Sequence, residues 1–162
     1  MYPQLIREFV DQESLPETYA VDVENWFLPL VEELDALIVQ SVRPLIIGIN
    51  GAQGTGKSTL ASLISLLLGE QGYRVAKLSL DDFYLSRERR TELAQQVHPL
   101  LASRGVPGTH NTAQAIMTLA ELSRATAADH VALPVFDKSR DDCASEDQFK
   151  SIQGPIDVIL LE

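Results

Sequence analysis

The chain has 162 residues, of which 45% are hydrophobic, and a formal net charge of −10 at pH 7. This length suffices for one domain with a hydrophobic core, and so acidic a balance argues against binding nucleic acid by neutralising its phosphates. No apolar run approaches the roughly 20 residues that span a bilayer, and the N-terminus lacks the basic and apolar regions of a secretory signal. The single cysteine, Cys143, excludes an internal disulfide and a cysteine-based metal cluster. We therefore expect a cytoplasmic protein with no nucleic-acid or membrane partner, whose oligomeric state the sequence leaves open.

Residues 1–43 are predicted to form an acidic helical segment. They hold nine acidic and two basic side chains, a net charge of −7, against −3 for the other 119 residues. A helix that starts near Phe27 would place Pro29 in its first turn, where proline is tolerated. We expect this segment to pack on the side of the core, and the alternative is a helix that binds a partner. Its apolar residues recur at helical spacing: Val23, Trp26, Phe27, Leu30, Val31, Leu34, Leu37 and Ile38.

From residue 44 onward, apolar runs typical of strands alternate with helical patterns. Such alternation predicts an α/β fold, with a parallel sheet and helices on both faces. The run at 156–161 is fully apolar and should be a central strand, whereas 98–110 is expected to be irregular and 137–154 a polar loop. Asn111 can cap the helix that follows it, with Ala115, Ile116, Leu119 and Leu122 directed inward. The predicted strands are 45–49, 74–80, 131–136 and 156–161, and the predicted helices are 57–68, 87–97 and 112–124.

Residues 51–58 read G-x-x-x-x-G-K-S, the phosphate-binding P-loop, between a predicted strand and a predicted helix. Glycines let backbone N–H groups turn toward phosphate oxygens, and the helix N-terminus adds partial positive charge. Lys57 can reach the β- and γ-phosphates, and the Ser58 hydroxyl can ligate Mg²⁺. The fold class is thus a P-loop NTPase-type, doubly wound parallel sheet. The predicted nucleotide-binding residues are Gly51, Ala52, Gln53, Gly54, Thr55, Gly56, Lys57, Ser58 and Thr59.

Two aspartates, Asp81 and Asp82, directly follow the predicted strand 74–80. Ligands of doubly wound sheets bind at the carboxyl ends of the strands, so we expect both at the same rim as the P-loop. A carboxylate there can accept the proton of a substrate hydroxyl that attacks the γ-phosphorus. The alternative is that the aspartates cap a helix or a turn, but two in a row at such a strand end favour function.

The P-loop, together with the sequence S-L-D-D-F-Y at 79–84, resembles the P-loop kinases of small metabolites, which include uridine kinase, pantothenate kinase and phosphoribulokinase. Three further segments narrow the resemblance to the D-glycerate 3-kinase family: R-G-V-P-G-T-H-N at 104–111, L-P-V-F-D-K-S at 133–139 and V-I-L-L-E at 158–162. The resemblance covers 45–162 well and the N-terminal segment loosely.

This resemblance implies phosphorylation of D-glycerate at its 3-hydroxyl, with ATP and Mg²⁺ as cofactors. It implies that Asp81 is the general base, that Lys57 supports catalysis, and that Ser58 and Glu162 lie near the metal. A hydroxy-acid carboxylate also needs cations, for which Arg104, His110, Lys138 and Arg140 are the candidates. The full set of predicted substrate-binding residues is Asp82, Tyr84, Arg104, His110, Asp137, Lys138 and Arg140.

Two positions depart from the family's pattern, since Asn111 stands where an aspartate is expected and Cys143 where an arginine is expected. Asn111 keeps the capping ability but lacks the negative charge, which weakens the case for a substrate role of a carboxylate there. Cys143 lacks the positive charge of arginine, which weakens the case for anion binding at this end of the loop.

We predict a division into the helical segment, 1–43, and a P-loop kinase core, 44–162, that ends after its second nucleotide-binding strand. A natural domain rarely ends on its core strand, so we expect a fragment of a longer kinase that is weak or inactive by itself. One alternative is a uridine- or pantothenate-type kinase. Another is a non-catalytic nucleotide-binding module that uses the acidic helix to bind a partner. The segments at 104–111 and 133–139 argue against the first alternative. The same segments and the Asp81-Asp82 pair argue against the second, since a non-catalytic module would not need acceptor-site chemistry.

Overall fold

The computed structural model describes residues 2–42 and 44–162. Met1 and Arg43, the two ends of the predicted N-terminal segment, lie outside the described residues. The chain divides into two compact units, one made of 1–77, 157–160 and 162, the other of 78–156 and 161. The α-helices are α1 (Pro3–Gln12), α2 (Tyr19–Asp22), α3 (Leu28–Gln40), α4 (Lys57–Glu70), α5 (Arg87–Gln96) and α6 (Thr112–Arg124). The strands are β1 (Leu45–Gly48), β2 (Val75–Leu78), β3 (His130–Leu133), β4 (Phe136–Asp137), β5 (Asp142–Cys143), β6 (Lys150–Gln153) and β7 (Val158–Leu161).

The N-terminal segment folds into more than the single helix predicted. Helix α3 begins at Leu28 and carries Pro29 in its first turn, which confirms that prediction. A π-helical turn, Val23–Phe27, joins α2 to α3. Helix α1 buries Ile6, Phe9 and Val10, whose i, i+3, i+4 spacing places them on one helix face. Across the described residues, no helix is long and apolar enough to cross a membrane.

The helices of the N-terminal segment share one hydrophobic core with α4 and β7. Burying each large aliphatic side chain there stabilises the fold by about 1.5–3 kcal/mol. Two members of the predicted apolar stripe do not take part: Trp26 is 70% exposed and Leu37 is 51% exposed. The periodic spacing of the segment therefore marks a wider apolar stripe than its neighbours cover. The buried members of this core are Ile6, Phe9, Val10, Val23, Val31, Leu34, Ile38, Leu63, Ile64, Leu67, Leu68, Val158 and Leu160.

The parallel sheet has the strand order β1-β7-β2. Strand β7 is central, as its unbroken apolar sequence predicts, and Val158, Ile159 and Leu160 are all fully buried. A strand covered on both faces needs apolar side chains at consecutive positions instead of alternating ones. The chain passes from β1 through the P-loop to β2 at the other edge of the sheet. Strand β7, which follows much later in the chain, then lies between these two strands.

The second unit contains α5, α6 and two antiparallel strand pairs, β3 with β6 and β4 with β5. The predicted polar loop at 137–154 is therefore wrong, since Val131 opposes Ile152 and Phe136 opposes Cys143. Strand β6 reads K-S-I-Q, which shows little strand pattern, and its pairing depends on a partner about twenty residues away. In α6 the predicted inward position of Ile116 is also wrong, because that side chain is 66% exposed.

A fully buried arginine, Arg90, joins three segments of the second unit. Its guanidinium donates to the carbonyl oxygens of Leu85 at 3.1 Å, Ala102 at 3.0 Å and Asp141 at 2.6 Å. Its Nη2 also lies 3.0 Å from a carboxylate oxygen of Asp141. A buried charge is tolerated only when it is paired and hydrogen-bonded in this way. Arg90 therefore fixes the chain around Asp141 relative to α5.

Candidate functional site

The P-loop occupies the turn between β1 and α4 in the first unit. Gly56 is the N-cap of α4 with φ +82°, and Gly54 has φ +77°, conformations that favour glycine because it lacks a Cβ. The carbonyl oxygen of Ala52 accepts hydrogen bonds from the Thr55 hydroxyl at 2.8 Å and from Lys57 Nζ at 3.0 Å. The loop is exposed, so its backbone N–H groups and the start of α4 form a surface suited to anions.

Ser58 and Glu162, the two predicted metal ligands, are in direct contact within the first unit. The Ser58 hydroxyl donates to Glu162 Oε2 at 2.8 Å, and both side chains are solvent-accessible. A hydroxyl and a carboxylate are hard oxygen donors of the kind that Mg²⁺ prefers, usually one or two from the protein with phosphates and waters completing the shell. The donor set of these two residues therefore fits Mg²⁺.

Asp81 and Asp82 lie on a 3₁₀ turn, Leu80–Phe83, that begins after β2. Ser79 caps this turn by accepting a hydrogen bond from the Asp81 N–H at 3.3 Å. Asp82 is turned toward the backbone, where its Oδ1 accepts from the Phe136 N–H at 3.1 Å. Burial raises the pKa of Asp82, a change that the hydrogen bond from Phe136 opposes. The carboxylate of Asp82 therefore holds the backbone at Phe136 in place. The carboxylate of Asp81 contacts side chains instead.

The carboxylate of Asp81 joins two other predicted site residues of the second unit. Lys138 Nζ donates to Asp81 Oδ2 at 2.8 Å, and the Tyr84 hydroxyl donates to Asp81 Oδ1 at 3.0 Å. The hydrogen bond from Lys138, which exceeds the opposing effect of burial, lowers the pKa of Asp81, and Tyr84 lowers it further. Asp81 is 43% exposed. It is therefore an ionised and accessible carboxylate with two fixed donors.

Two more of the residues predicted to bind the acceptor, His110 and Arg104, lie near Tyr84 and Phe136. The ring of Tyr84 stacks on His110 with centroids 4.3 Å apart and meets Phe136 edge-on at 5.3 Å. Arg104 lies 5.8 Å from the centroid of the Phe136 ring and pairs through Nη1 with Asp141 at 2.7 Å. The structure thus brings Asp81, Tyr84, His110, Lys138 and Arg104 into one cluster, linked through Tyr84 and Phe136. We call these five residues the acceptor cluster.

Asp137 and Arg140 have local contacts outside the acceptor cluster. Asp137 Oδ1 accepts from the Ser139 hydroxyl at 2.6 Å and from the Arg140 N–H at 3.2 Å. The bond from Ser139 is the main reason why the pKa of Asp137 is lowered. This arrangement shapes the turn that carries Lys138. Arg140 contributes its backbone to that turn.

The two positions that depart from the family's pattern both have structural roles in the second unit. Asn111 Oδ1 accepts from the Gln114 N–H at 3.1 Å, which confirms that Asn111 caps α6. The thiol of Cys143 donates to the carbonyl oxygen of Tyr84 at 3.4 Å, and burial raises the pKa of Cys143. Neither contact requires the charge of the expected aspartate or arginine.

The sequence does not indicate two sets of contacts near these sites, one made by Arg90 and Asp141 and the other by Tyr19 and Phe27. Arg90 and Asp141 tether Arg104, but nothing in the polar sequence of α5 distinguishes Arg90 from its neighbours. Tyr19 and Phe27 line a cavity beside the P-loop, whereas their spacing in the sequence indicates only a helix face. In both cases the contacts join segments that are far apart in the sequence, so no short sequence pattern reveals them.

Comparison with known proteins adds to these observations. A family profile described as methylmalonyl Co-A mutase-associated GTPase MeaB matches residues 29–84. The chain is 41% identical over 100 residues to the uncharacterized kinase mug58 of Schizosaccharomyces pombe, a match that covers 60% of this chain and 36% of that protein. It is 35% identical over 128 residues to the chloroplastic D-glycerate 3-kinase of Arabidopsis thaliana, covering 75% of this chain and 28% of that protein.

Two solved structures of other proteins superpose on this chain. The YGR205w protein superposes with a TM-score of 0.69 at 29% identity, over 88% of this chain and 51% of that one. D-glycerate 3-kinase from Cryptococcus neoformans var. grubii superposes with a TM-score of 0.63 at 29% identity, over 82% of this chain and 51% of that one. The chain therefore spans about a third of the length of the curated relatives and half of these structures. These likenesses confirm the predicted P-loop kinase fold.

Proposed function

Because this chain is homologous to D-glycerate 3-kinase and to related P-loop kinases, we propose that it phosphorylates the 3-hydroxyl of D-glycerate at the expense of ATP. The observation that carries the proposal is the acceptor cluster, in which an ionised, accessible carboxylate is held beside a lysine, a histidine and an arginine. A general base and several cations are what a hydroxy acid needs from a kinase.

The first unit would hold the phosphates of the nucleotide. Backbone N–H groups of the P-loop and of the first turn of α4 would bind phosphate oxygens, and Lys57 would exchange the Ala52 carbonyl for phosphate oxygens. Ser58 and Glu162 would hold Mg²⁺, whose chemistry is to neutralise charge on the β- and γ-phosphate oxygens. These residues bind and orient the nucleotide, which accounts for much of the catalysis in phosphoryl transfer.

The second unit would supply the base and bind the acceptor. Asp81 would accept the proton of the 3-hydroxyl as its oxygen forms a bond to the γ-phosphorus and the bond from that phosphorus to ADP breaks. The carboxylate of glycerate would pair with Lys138, Arg104 or His110, of which Lys138 is 59% exposed and Arg104 is 37% exposed. Since Lys138 also pairs with Asp81, the substrate carboxylate would compete with the base for this ammonium group.

An acceptor panel tests the proposal. ADP release by the full-length protein is measured with ATP and Mg²⁺ in the presence of D-glycerate, uridine or pantothenate, with GTP as the comparison donor. We expect D-glycerate alone to stimulate release, and the product to be the 3-phosphate by NMR. Stimulation by uridine or pantothenate would contradict D-glycerate as the acceptor and would support a uridine- or pantothenate-type kinase instead. Release that no acceptor stimulates would leave a nucleotide-binding module and remove the kinase proposal.

The pH dependence of turnover should report the pairing of Asp81 with Lys138. Since Lys138 lowers the pKa of Asp81, the base stays ionised to lower pH in the wild type. In Lys138→Met that pKa rises, so the acidic limb of the kcat/KM profile, which reports the free enzyme, should move to higher pH. Lys138→Arg should keep the limb near its wild-type position.

A second measurement separates this effect from any role of Lys138 in substrate binding. The carboxyl carbon of Asp81, followed by NMR without substrate, should titrate at higher pH in Lys138→Met, whereas Lys77→Met should not change it. An unchanged Asp81 titration would contradict the pairing as the cause of the lowered pKa.

A further inference from the structure

A cavity of about 340 Å³ lies within the first unit, between the N-terminal segment and the P-loop. Leu15, Tyr19 and Phe27 line it on one side, and the end of β1, the P-loop and the first turn of α4 line it on the other. We propose that this cavity binds the base and ribose of the nucleoside triphosphate. The N-terminal segment would then be part of the nucleotide site. The inference rests on the proposed function only in requiring that the P-loop hold the triphosphate.

The cavity is continuous with the phosphate-binding residues. Thr55, Gly56 and Lys57 belong to the P-loop and also line the cavity, and Thr59 and Leu60 continue the lining along α4. A nucleotide whose phosphates contact the start of α4 therefore has its remaining part within reach of this space. Its volume lies near the lower end of the roughly 300–1,000 Å³ typical of small-molecule sites.

The residues that line the cavity are of the types that bind the base of a nucleotide. The rings of Tyr19 and Phe27 have centroids 5.8 Å apart and planes inclined by 40°. Both rings are half-buried, and Ile49 and Leu60 add apolar surface. Every base has an aromatic face that stacks on such rings, and a few polar groups suffice to orient it. Asn50 is one such group in the lining.

The backbone that carries Phe27 is unusual. Phe27 is the last residue of the π-helical turn, Val23–Phe27, and π turns within helices occur frequently at functional sites. In this turn Val23 is fully buried while Trp26 is 70% exposed. Two neighbouring aromatic residues thus have different surroundings: Phe27 lines the cavity and Trp26 does not. This pair provides a matched control.

The negative charge of the N-terminal segment favours one orientation of the ligand. Asp22 and Glu13 act on Tyr19, whose pKa is raised first by burial and then by these two carboxylates. Carboxylates repel phosphate but accept hydrogen bonds from the amino group of a base. The phosphates would therefore lie at the P-loop and the base at the N-terminal segment.

Calorimetric titration of the protein with Mg²⁺-ATP and with inorganic tripolyphosphate tests the inference. Phe27→Ala and Tyr19→Ala should each weaken ATP binding about tenfold, the loss expected for one stacking partner of a base. Tripolyphosphate binding should stay unchanged in both variants, and Trp26→Ala should alter neither ligand. Phe27→Tyr should retain ATP affinity. Phe27→Leu keeps an apolar side chain without the aromatic face, so it should also weaken ATP alone if Phe27→Ala does not fold.

Each other outcome is decisive. Equal weakening of both ligands would show that the aromatic residues merely support the P-loop, and unchanged ATP affinity would show that they do not contact the nucleoside. Either result overturns the inference, as does wild-type protein that binds neither ligand. If the pattern is as expected but no acceptor stimulates ADP release, the nucleoside site stands and the proposed kinase activity fails.

Discussion

Asp81→Asn is expected to lower turnover about 10²–10⁴-fold, the usual contribution of a general base, while the dissociation constant for ATP stays within about twofold. Asparagine has nearly the size of aspartate and can still accept the hydrogen bond from Tyr84. It cannot take a proton from the acceptor hydroxyl. Because the side-chain partners of Asp81 are Lys138 and Tyr84, and neither belongs to the P-loop, this change should leave nucleotide binding intact. Steady-state kinetics and calorimetry measure the two quantities separately.

The ion pair between Asp81 and Lys138 leads to a further expectation, for the KM of the acceptor. In Asp81→Asn the ammonium group loses its anionic partner, so binding of an anionic acceptor should be retained or strengthened. A lower kcat with a KM that does not rise would therefore identify Asp81 as a residue of the chemical step. The acidic limb of the pH profile should also disappear with the titrating carboxyl.

Asp129→Asn is the matched control for Asp81. Asp129 lies in the same unit, and its carboxylate accepts hydrogen bonds from the Thr126 N–H and hydroxyl in an exposed turn. The same loss of charge there should leave kcat and KM unchanged. If Asp81→Asn turns over at nearly the wild-type rate, Asp81 is not the base.

Lys57→Ala is expected to damage both nucleotide binding and turnover. A hydrogen bond to a charged group contributes about 1.5–3 kcal/mol, which corresponds to a loss of roughly tenfold to more than a hundredfold in ATP affinity. The loss in kcat/KM should be larger, because the ammonium group also stabilises charge that develops on the transferred phosphoryl group. Calorimetry with ATP and single-turnover kinetics would measure both.

Lys77→Ala is the control for this change. Lys77 is an exposed lysine of the same unit, and its Nζ donates to Ser62 at 2.8 Å. Removing that charge should change neither ATP affinity nor turnover. Since Lys57 also binds the Ala52 carbonyl, thermal unfolding of both variants should be compared with that of the wild type. Intact ATP affinity in Lys57→Ala would contradict its contact with phosphate.

Sequence predictions held where the signal is local. The strand, P-loop and helix at 45–70 are predicted by adjacent residues, and the structure confirms them with small changes of boundary. The central position of β7 follows from its unbroken apolar sequence. The cap at Asn111 depends on residues three positions apart. In each case the sequence signal lies within a few neighbouring residues, even where, as for β7, the strands that pair with it are distant in the chain.

The predictions were wrong where a distant partner decides the outcome. Strand β6 exists because β3 pairs with it, and Ile116 is exposed because no neighbour covers that face of α6. Trp26 is exposed for the same reason, since the apolar stripe of the N-terminal segment is wider than the face that its neighbours cover. Periodicity indicates which faces can be buried but does not reveal which ones have a partner.

The sequence by itself determined the P-loop, the alternation of strands and helices, and the residue types of the acceptor cluster, because these depend on short-range order and composition. Only the tertiary structure decided that Asp81 pairs with Lys138, a residue 57 positions away, and that Asp82 is tied to the backbone of Phe136. It also brought Tyr19 and Phe27 to the edge of the P-loop. Such contacts arise from the packing of whole segments, whose free energy is spread over many side chains and is not encoded in the spacing of any few of them.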